Sequence, residues 1–593
     1  MTFIEFSRKL RTASIIGGFV GLGLGLAITR MDAPLPFYNL ADLMPQTMEG
    51  ISPWLYEETI KEFLVPNLSV FLTYFLPVWI GALFYLFKYD QKEDEIFKRG
   101  SQLLSPKELR KHILKVLKKS HDTHRLTLGI EQIPIPFTQE VKNFLFVGMP
   151  GSGKSQSLYS LLLGNVNDKG KQLTGGVVDF NEPLICYERK GDDFVAPLYR
   201  RGRDYLFDPR DRDSIKWNIF RDLLTEDGDI DEAMVNFFVN SIAPVSDSKA
   251  AHFEEQAQSI VKAVLLAVAG SENPSNKALI NFLRMYPTPK ALRAALLANP
   301  TVILFGADNA VHGSLTVDSQ ENLDNQATSV YATCNKVFKN LSNRAFYYEG
   351  GDFSVREFIA SLKDKNVDIR LFVVNTASQS GAYNTYFGLF FTLLYKHILT
   401  LPNSKTRRIV MVLDELMSLA SGGNKSLGKY LISELINTLA ESRSKGLNAL
   451  IAFQGLSQAN EIVGDNLIKS LFQMCGTKIV LQYSEPYGQK LLSQFLGEKE
   501  IDRKKQGINR ASQAGQDRLN ESDEEKIKKI VLESEFANLE PLEAFIKIGN
   551  FPASKIKFGY QEPKKICDPL IRKDLPYFQT LIEDQNSQSG FVA

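Results

Sequence analysis

The most constraining feature of the chain is a glycine-rich loop between an apolar run and a helical pattern. The apolar run is Asn143–Val147, and Leu158 and Leu161 follow the loop at helical spacing. Backbone N–H groups at a helix N-terminus bind phosphates, and glycines let the backbone approach them closely. The sequence therefore predicts a strand, a phosphate-binding loop and a helix. The loop residues are Gly148, Met149, Pro150, Gly151, Ser152, Gly153, Lys154 and Ser155.

Two loop residues and a later pair of acids predict the chemistry of the site. In loops of this pattern the lysine, here Lys154, reaches the β- and γ-phosphates, and the hydroxyl of Ser155 binds Mg²⁺. A second apolar run ends in Asp414 and Glu415. Asp414 is placed to hold Mg²⁺ through its water shell, and Glu415 to polarise an attacking water. We expect ATP and Mg²⁺ as cofactors and hydrolysis as the reaction; the alternative is two acids at an exposed strand end.

Further apolar runs predict an α/β fold with a mostly parallel sheet. They lie at 369–375, 408–413, 448–454, 477–483 and 544–549. Near-continuous apolar strands separated by helix-length stretches are typical of a buried parallel sheet. Segment 221–341 shows helical patterns and no convincing strand, which predicts an inserted all-α domain. Segment 502–529 is dense in charged and amide residues and predicts a mobile surface loop with a helical end.

Two apolar runs near the N-terminus, 13–29 and 68–87, predict a two-helix membrane anchor. The second run carries no charge over 20 residues, whereas the alternative for the first is a signal peptide with a basic start. The intervening segment 31–67 is rich in acids, and basic residues flank both runs. The charge distribution places the loop outside and both chain ends in the cytoplasm.

Composition removes some classes of protein and leaves others open. The chain has 69 Lys and Arg against 68 Asp and Glu, which excludes a wholly basic nucleic-acid binder but not a protein with a charged channel.

One stretch departs from this balance: from Leu103 to Arg125 there are seven Lys or Arg against two acids. A capping box at Ser105–Glu108 opens an amphipathic helix there. Its basic residues could lie on anionic lipid, face nucleic acid or simply be solvated.

Taken together, several motifs resemble the type IV secretion coupling proteins of the TraD/TrwB branch. The resemblance covers nearly the whole chain from about Ser101. Its marks are Gly148–Ser155, Tyr187–Asp192, Tyr199–Asp204, Phe207–Pro209, Lys216–Phe220, Asp414–Glu415, Ala440–Gly446 and Phe453–Gln458. Glu188 departs from the family pattern, which often has Asp there.

The resemblance implies a homohexameric ring of RecA-like domains with ATP between subunits. By similarity Gln454 is a sensor glutamine and Arg443 is an arginine finger for the neighbour's phosphates. The alternatives are a polar strand-end residue and a solvent-facing arginine. The implied domains are an anchor at 1–100, a RecA-like nucleotide-binding domain at 101–220 and 342–562, an all-α domain at 221–341 and a short polar tail at 563–593.

These observations favour an ATPase in the bacterial inner membrane that passes a substrate to a type IV secretion channel. By the resemblance, the cargo is single-stranded DNA with an attached relaxase. Protein effectors as cargo and a DNA translocase of the FtsK kind remain alternatives. A scaffold that binds ATP without hydrolysis is disfavoured, since such a protein has no need for Glu415.

Overall fold

The computed structural model describes most of the chain from residue 95 onward. The described residues are 95–246, 249–317, 324–343, 346, 351–364, 367–378, 380–421, 425–509 and 518–572. Both predicted membrane spans and the loop between them lie outside these residues. Among the described residues, no helix combines the length and apolarity that a bilayer crossing requires. The chain divides into two compact units, one of 1–99 with 500–528 and one of 100–499 with 529–593.

A ten-stranded sheet forms the centre of the larger unit. Its strands, in spatial order, are β2 (Leu103–Leu104), β15 (Ala553–Lys557), β14 (Glu543–Ile548), β11 (Cys475–Val480), β5 (Asn143–Val147), β10 (Leu447–Phe453), β9 (Ile409–Leu413), β6 (Leu184–Glu188), β8 (Arg370–Val374) and β7 (Tyr205–Phe207). Within this sheet, β14 runs antiparallel to both of its neighbours, β11 and β15, whereas β15 and β2 pair parallel. The sheet is therefore mixed at one side and parallel from β11 to β7.

The central strands are buried on both faces, which explains their continuous apolar sequence. In β9, Ile409, Met411 and Leu413 pack into the core on one face of the sheet. Val410 and Val412 alternate with them and pack into the core on the other face. The predicted strands β5, β8, β9, β10, β11 and β14 are confirmed.

Helices cover both faces of the sheet and form the segment between β7 and β8. They are α1 (Pro106–Ser120), α2 (Phe137–Glu140), α3 (Lys154–Leu162), α4 (Val195–Leu198), α5 (Ile219–Leu223), α6 (Glu232–Ile242), α7 (Ala251–Ala269), α8 (Asn276–Met285), α9 (Pro289–Leu297), α10 (Pro300–Leu304), α11 (Ala307–Ser314), α12 (Asn325–Leu341), α13 (Val355–Ser361), α14 (Ser380–Thr400), α15 (Leu416–Ala420), α16 (Lys425–Glu441), α17 (Leu456–Val463), α18 (Asp465–Met474), α19 (Pro486–Leu496) and α20 (Glu533–Ala537). Two short 3₁₀ helices lie at Val177–Phe180 and Ser442–Lys445.

The described part of segment 219–341 contains helices and no strand. Asp222 in α5 ties the start of this segment to α13, which follows its end. Its carboxylate accepts hydrogen bonds from Trp217 Nε1 at 2.7 Å, Ser354 Oγ at 2.6 Å and the Arg356 backbone N–H at 2.8 Å. The buried carboxylate thus joins the two chain crossings between the sheet and the helical segment.

The smaller unit contains a three-stranded sheet in its described part. Its strands are β1 (Glu95–Gly100), β12 (Glu498–Asn509) and β13 (Arg518–Lys529), in the order β1–β12–β13. The prediction of a loop with a helical end at 502–529 is therefore wrong, because most of that segment is paired strand. A two-stranded antiparallel pair in the larger unit, β3 (His124–Leu128) and β4 (Ile133–Pro136), precedes β5.

Candidate nucleotide-binding site

The glycine loop connects β5 to α3 at the carboxyl edge of the sheet. Gly153, the residue before α3, has φ of 101°, a conformation that L side chains rarely adopt. A Cβ on Gly153 would lie 2.7 Å from Leu542 Cδ2, and one on Gly148 would lie 2.5 Å from Ser152 Oγ. The backbone N–H of Gly148 donates to the Phe453 carbonyl at 3.2 Å. The positive φ favours glycine at 153, and a side chain at 148 would have to displace Ser152 and Leu481.

The side chain of Lys154 is buried and points at the end of β9. Its Nζ lies 2.8 Å from the backbone carbonyl oxygen of Asp414, 3.4 Å from Asp414 Oδ1 and 3.7 Å from Glu415 Oε2. Strand β10 lies between β5 and β9, so these residues approach each other across one intervening strand. The structure therefore brings together the loop lysine and the acidic pair that the sequence predicted separately.

The oxygen atoms beside Lys154 fit a magnesium ion. Asp414 Oδ1 is buried, and apart from the Lys154 ammonium at 3.4 Å it has no polar partner among the described residues. The Ser155 hydroxyl, one residue after the lysine, is half-buried at the same helix start. Carboxylate and hydroxyl oxygens are the ligands Mg²⁺ prefers, with water and phosphate oxygens completing its shell. Among the described residues no cluster of three or more His, Cys, Asp or Glu could hold a metal by itself. The donor set thus fits Mg²⁺ bound together with a nucleotide.

Glu415 is electrostatically coupled to both neighbours. Burial raises the pKa of this carboxyl above its ordinary value, the Lys154 ammonium opposes the rise, and the Asp414 charge adds to it. A buried carboxylate with a raised pKa is a stronger base than an exposed one. Its environment therefore suits the predicted role of polarising a water.

A turn after β6 completes the site, and sequence reasoning missed it. The buried Glu188 carboxylate accepts from the backbone N–H of Phe194 at 2.6 Å and of Val195 at 3.4 Å. Asp193 in this turn accepts from Ser155 Oγ at 3.3 Å and from Lys190 Nζ at 2.8 Å. One sequence signal could have located this turn: its acids follow a short apolar run. Because the carboxyl ends of parallel strands meet at one edge of a sheet, such a turn is expected near the glycine loop.

Gln454 and Arg443 lie at opposite ends of β10. Gln454 follows the strand directly, next to the Phe453 carbonyl that accepts from the glycine loop, and is half-buried. Arg443 precedes the strand in the 3₁₀ helix, is exposed and has no ion pair among the described residues. The seven residues of β10 span roughly 20 Å. The structure therefore brings Gln454 to the loop of its own chain and does not bring Arg443 there.

The strand order and the loop after β5 define an α/β protein of the P-loop class. Residues 127–559 match the family described as the type IV secretion-system coupling protein DNA-binding domain. The chain belongs to this family. Coupling protein TraD of Escherichia coli (strain K12) is 20% identical over 526 residues, which make up 88% of this chain and 66% of TraD. The chain thus spans just under two-thirds of the length of that relative.

Solved structures share the fold. The unbound monoclinic form of the bacterial conjugative coupling protein TrwBΔN70 has a TM-score of 0.61 at 20% identity, covering 81% of this chain and 97% of that chain. TrwB in complex with the non-hydrolysable ATP analogue ADPNP has a TM-score of 0.60 at 20% identity, covering 81% and 98%. TrwB in complex with ADP and Mg²⁺ has a TM-score of 0.60 at 20% identity, covering 80% and 98%. The chain therefore shares the TrwB fold over 81% of its length.

Proposed function

We propose that this protein is a membrane-anchored ATPase that couples DNA recruitment to a type IV secretion channel. Family membership supports the coupling role and DNA as the substrate class. The similar TrwB structures contain ADPNP or ADP with Mg²⁺, which supports ATP and Mg²⁺ as cofactors here. Single-stranded DNA with an attached relaxase is the cargo that the sequence resemblance favours.

The observation that carries the proposal is the convergence of Lys154, Asp414 and Glu415. The lysine, only 6% exposed, lies within 3.7 Å of both carboxylates. The buried ammonium contacts two carboxylates. Phosphate oxygens carry comparable negative charge, so a bound nucleotide can replace these contacts. Lys154 then contacts the β- and γ-phosphates, and Glu415, released from it, accepts a hydrogen bond from the attacking water. Mg²⁺, when bound, neutralises charge on the phosphates; Ser155 and Asp414 are the residues that would hold it.

The remaining parts of the proposal concern assembly. A RecA-like homohexameric ring would place Arg443 of one subunit near the phosphates bound by the next, because the arginine is exposed at the opposite edge of its own sheet. An added cation there stabilises charge on the transferred phosphoryl group. The anchor is proposed from the apolar runs 13–29 and 68–87, with the inner membrane as location and the body in the cytoplasm.

The test compares full-length protein in lipid with Lys154→Ala and Glu415→Gln variants. The alanine variant should lose nucleotide binding and turnover, because it lacks the cation that contacts the phosphates. The glutamine variant should bind ATP with Mg²⁺ and turn it over at least a hundredfold more slowly, since it retains the shape and loses the base. Normal turnover by either variant would refute the assigned roles.

A further inference from the structure

Helix α1 carries a stripe of lysines on the face opposite its core. Leu109, Ile113 and Leu117 are buried against the rest of the larger unit. The lysine stripe lies diametrically opposite at helical spacing and is exposed along its whole length. The stripe consists of Lys107, Lys111, Lys115 and Lys118. These eleven residue steps extend about 17 Å along the helix axis.

Within the part of the chain that the structure describes, the stripe has no counter-charge. Among the described residues, no ion pair involves any of the four lysines. Glu108, the sole acid in the helix, is held by the capping box, in which its carboxylate accepts from the Ser105 backbone N–H at 3.0 Å and from Ser105 Oγ at 2.7 Å. Lysines four apart on a helix repel each other and destabilise it. The repulsion between these lysines opposes folding of the helix. An anionic surface outside the chain would neutralise their charge and so explain why they lie together.

We infer that the lysine stripe of α1 binds the anionic phospholipid headgroups of the bilayer that holds the proposed anchor. The inference rests on that anchor. Only 18 residues, 88–105, separate the uncharged run 68–87 from α1. This short connection keeps the local concentration of headgroups around the helix high. Clusters of lysines just cytoplasmic of a membrane span bind anionic lipid electrostatically. Lipid rather than nucleic acid is favoured because the proposed anchor would hold the chain to lipid only 18 residues before α1.

The test measures how fast a water-soluble acylating reagent modifies each lysine, read by peptide mass spectrometry. Full-length protein is reconstituted in nanodiscs of phosphatidylcholine alone or with about one-third phosphatidylglycerol. The stripe and the adjacent Lys119 should react several-fold more slowly in the phosphatidylglycerol discs. Protection should vanish at about 0.5 M salt, because screening weakens exposed ion pairs. Equal rates in both lipids would show a solvated face and overturn the inference.

Two four-site variants separate the stripe from general charge. Replacing the stripe lysines with glutamine should abolish protection of Lys119 while leaving the melting temperature unchanged or higher, since repulsion is removed. The matched control replaces four exposed lysines elsewhere with glutamine and should keep the protection; these are Lys169, Lys171, Lys564 and Lys565. Protection that survives loss of the stripe would overturn the inference.

Two further arms identify other outcomes. Protection by a DNA duplex in pure phosphatidylcholine discs, without protection by phosphatidylglycerol, would assign the stripe to nucleic acid and refute the lipid assignment. Protein that elutes free of lipid would refute the proposed anchor. In that case labelling with and without added phosphatidylglycerol vesicles still tests the stripe, and equal rates would refute it independently.

Discussion

Asp193 positions the hydroxyl that is expected to bind the metal. A serine that coordinates Mg²⁺ through an oxygen lone pair still has a proton to donate, and Asp193 Oδ2 lies 3.3 Å from Ser155 Oγ. Acceptors that hydrogen-bond to a metal ligand orient it, and their loss commonly costs about 10–100-fold in metal affinity. The contact explains why a residue outside the loop belongs to the site.

Asp193→Asn should therefore reduce the contribution of Mg²⁺ to nucleotide binding by about tenfold. The measurement is the affinity of the protein for a fluorescent ADP analogue, titrated once in Mg²⁺ and once in EDTA. The affinity measured in EDTA should not change. Asp192→Asn is the matched control, because it removes the same charge from the same turn at an exposed side chain. Equal Mg²⁺ dependence in the two variants would contradict the role of Asp193.

Glu188 predicts a pH dependence of stability. Burial raises its pKa from 4.5 to about 8, despite the opposing N–H bond from Phe194. The folded state then binds a proton that the unfolded state releases, so stability falls as pH rises from about 4.5 to about 8. Glu188→Gln retains the acceptor and lacks the titration. Its melting temperature should fall less than that of the wild type over this range; parallel curves would contradict the assignment.

Sequence reasoning predicted the candidate residues that local order reveals, and the structure places Lys154, Asp414 and Glu415 together, while their roles stay predictions. Lys154 and Ser155 follow from the glycine loop, and Asp414 and Glu415 from their place after an apolar strand. Asp193 was missed because its contact with Ser155 depends on β6 and β5 ending at the same sheet edge, which one chain segment does not reveal. The roles of Gln454 and Arg443 came from family resemblance and stay predictions.

At the scale of elements, Asp222 holds the helical segment to the sheet. Its carboxylate accepts from Trp217, Ser354, and the backbone of Val355 and Arg356. Removing a buried acceptor leaves these donors without partners, at a cost of about 1–3 kcal/mol for each one left unsatisfied. Asp222→Ala should lower the free energy of unfolding by at least about 3 kcal/mol.

Chemical denaturation of the variant and of Asp229→Ala measures this effect. Asp229 lies in an exposed turn of the same segment, so its alanine variant should match the wild type. Two variants of equal stability would show that the carboxylate does not join the two chain crossings.

Elements buried on both faces were the ones the sequence predicted well. Strands β5, β9 and β10 are continuous apolar runs because the core surrounds them. Strands β12 and β13 were predicted as a loop because charged and amide residues dominate their sequence. They form a sheet through backbone pairing, which the side-chain pattern does not reveal. Strand β14 was predicted, but its antiparallel direction was not, since strand direction is set by connections rather than by side-chain pattern.

At the scale of the whole molecule, Arg443 tests whether sites are shared between subunits. The side chain is exposed, so Arg443→Glu should fold normally and lose turnover only because the neighbour's site lacks its cation. Mixing it with Lys154→Ala subunits should restore part of the activity, because some interfaces then join an intact loop to an intact arginine. Complete inactivity at every mixing ratio would contradict a shared site.

The most direct test of the central claim is ATP hydrolysis by full-length protein in lipid, with and without single-stranded DNA, over a range of protein concentration and salt. The account predicts that DNA stimulates hydrolysis and that the rate rises more steeply than protein concentration as rings assemble. The DNA stimulation should disappear at high salt, because contacts to the phosphates are screened. Hydrolysis indifferent to DNA would contradict DNA as the coupled substrate. An absence of hydrolysis under all these conditions would contradict the motor itself.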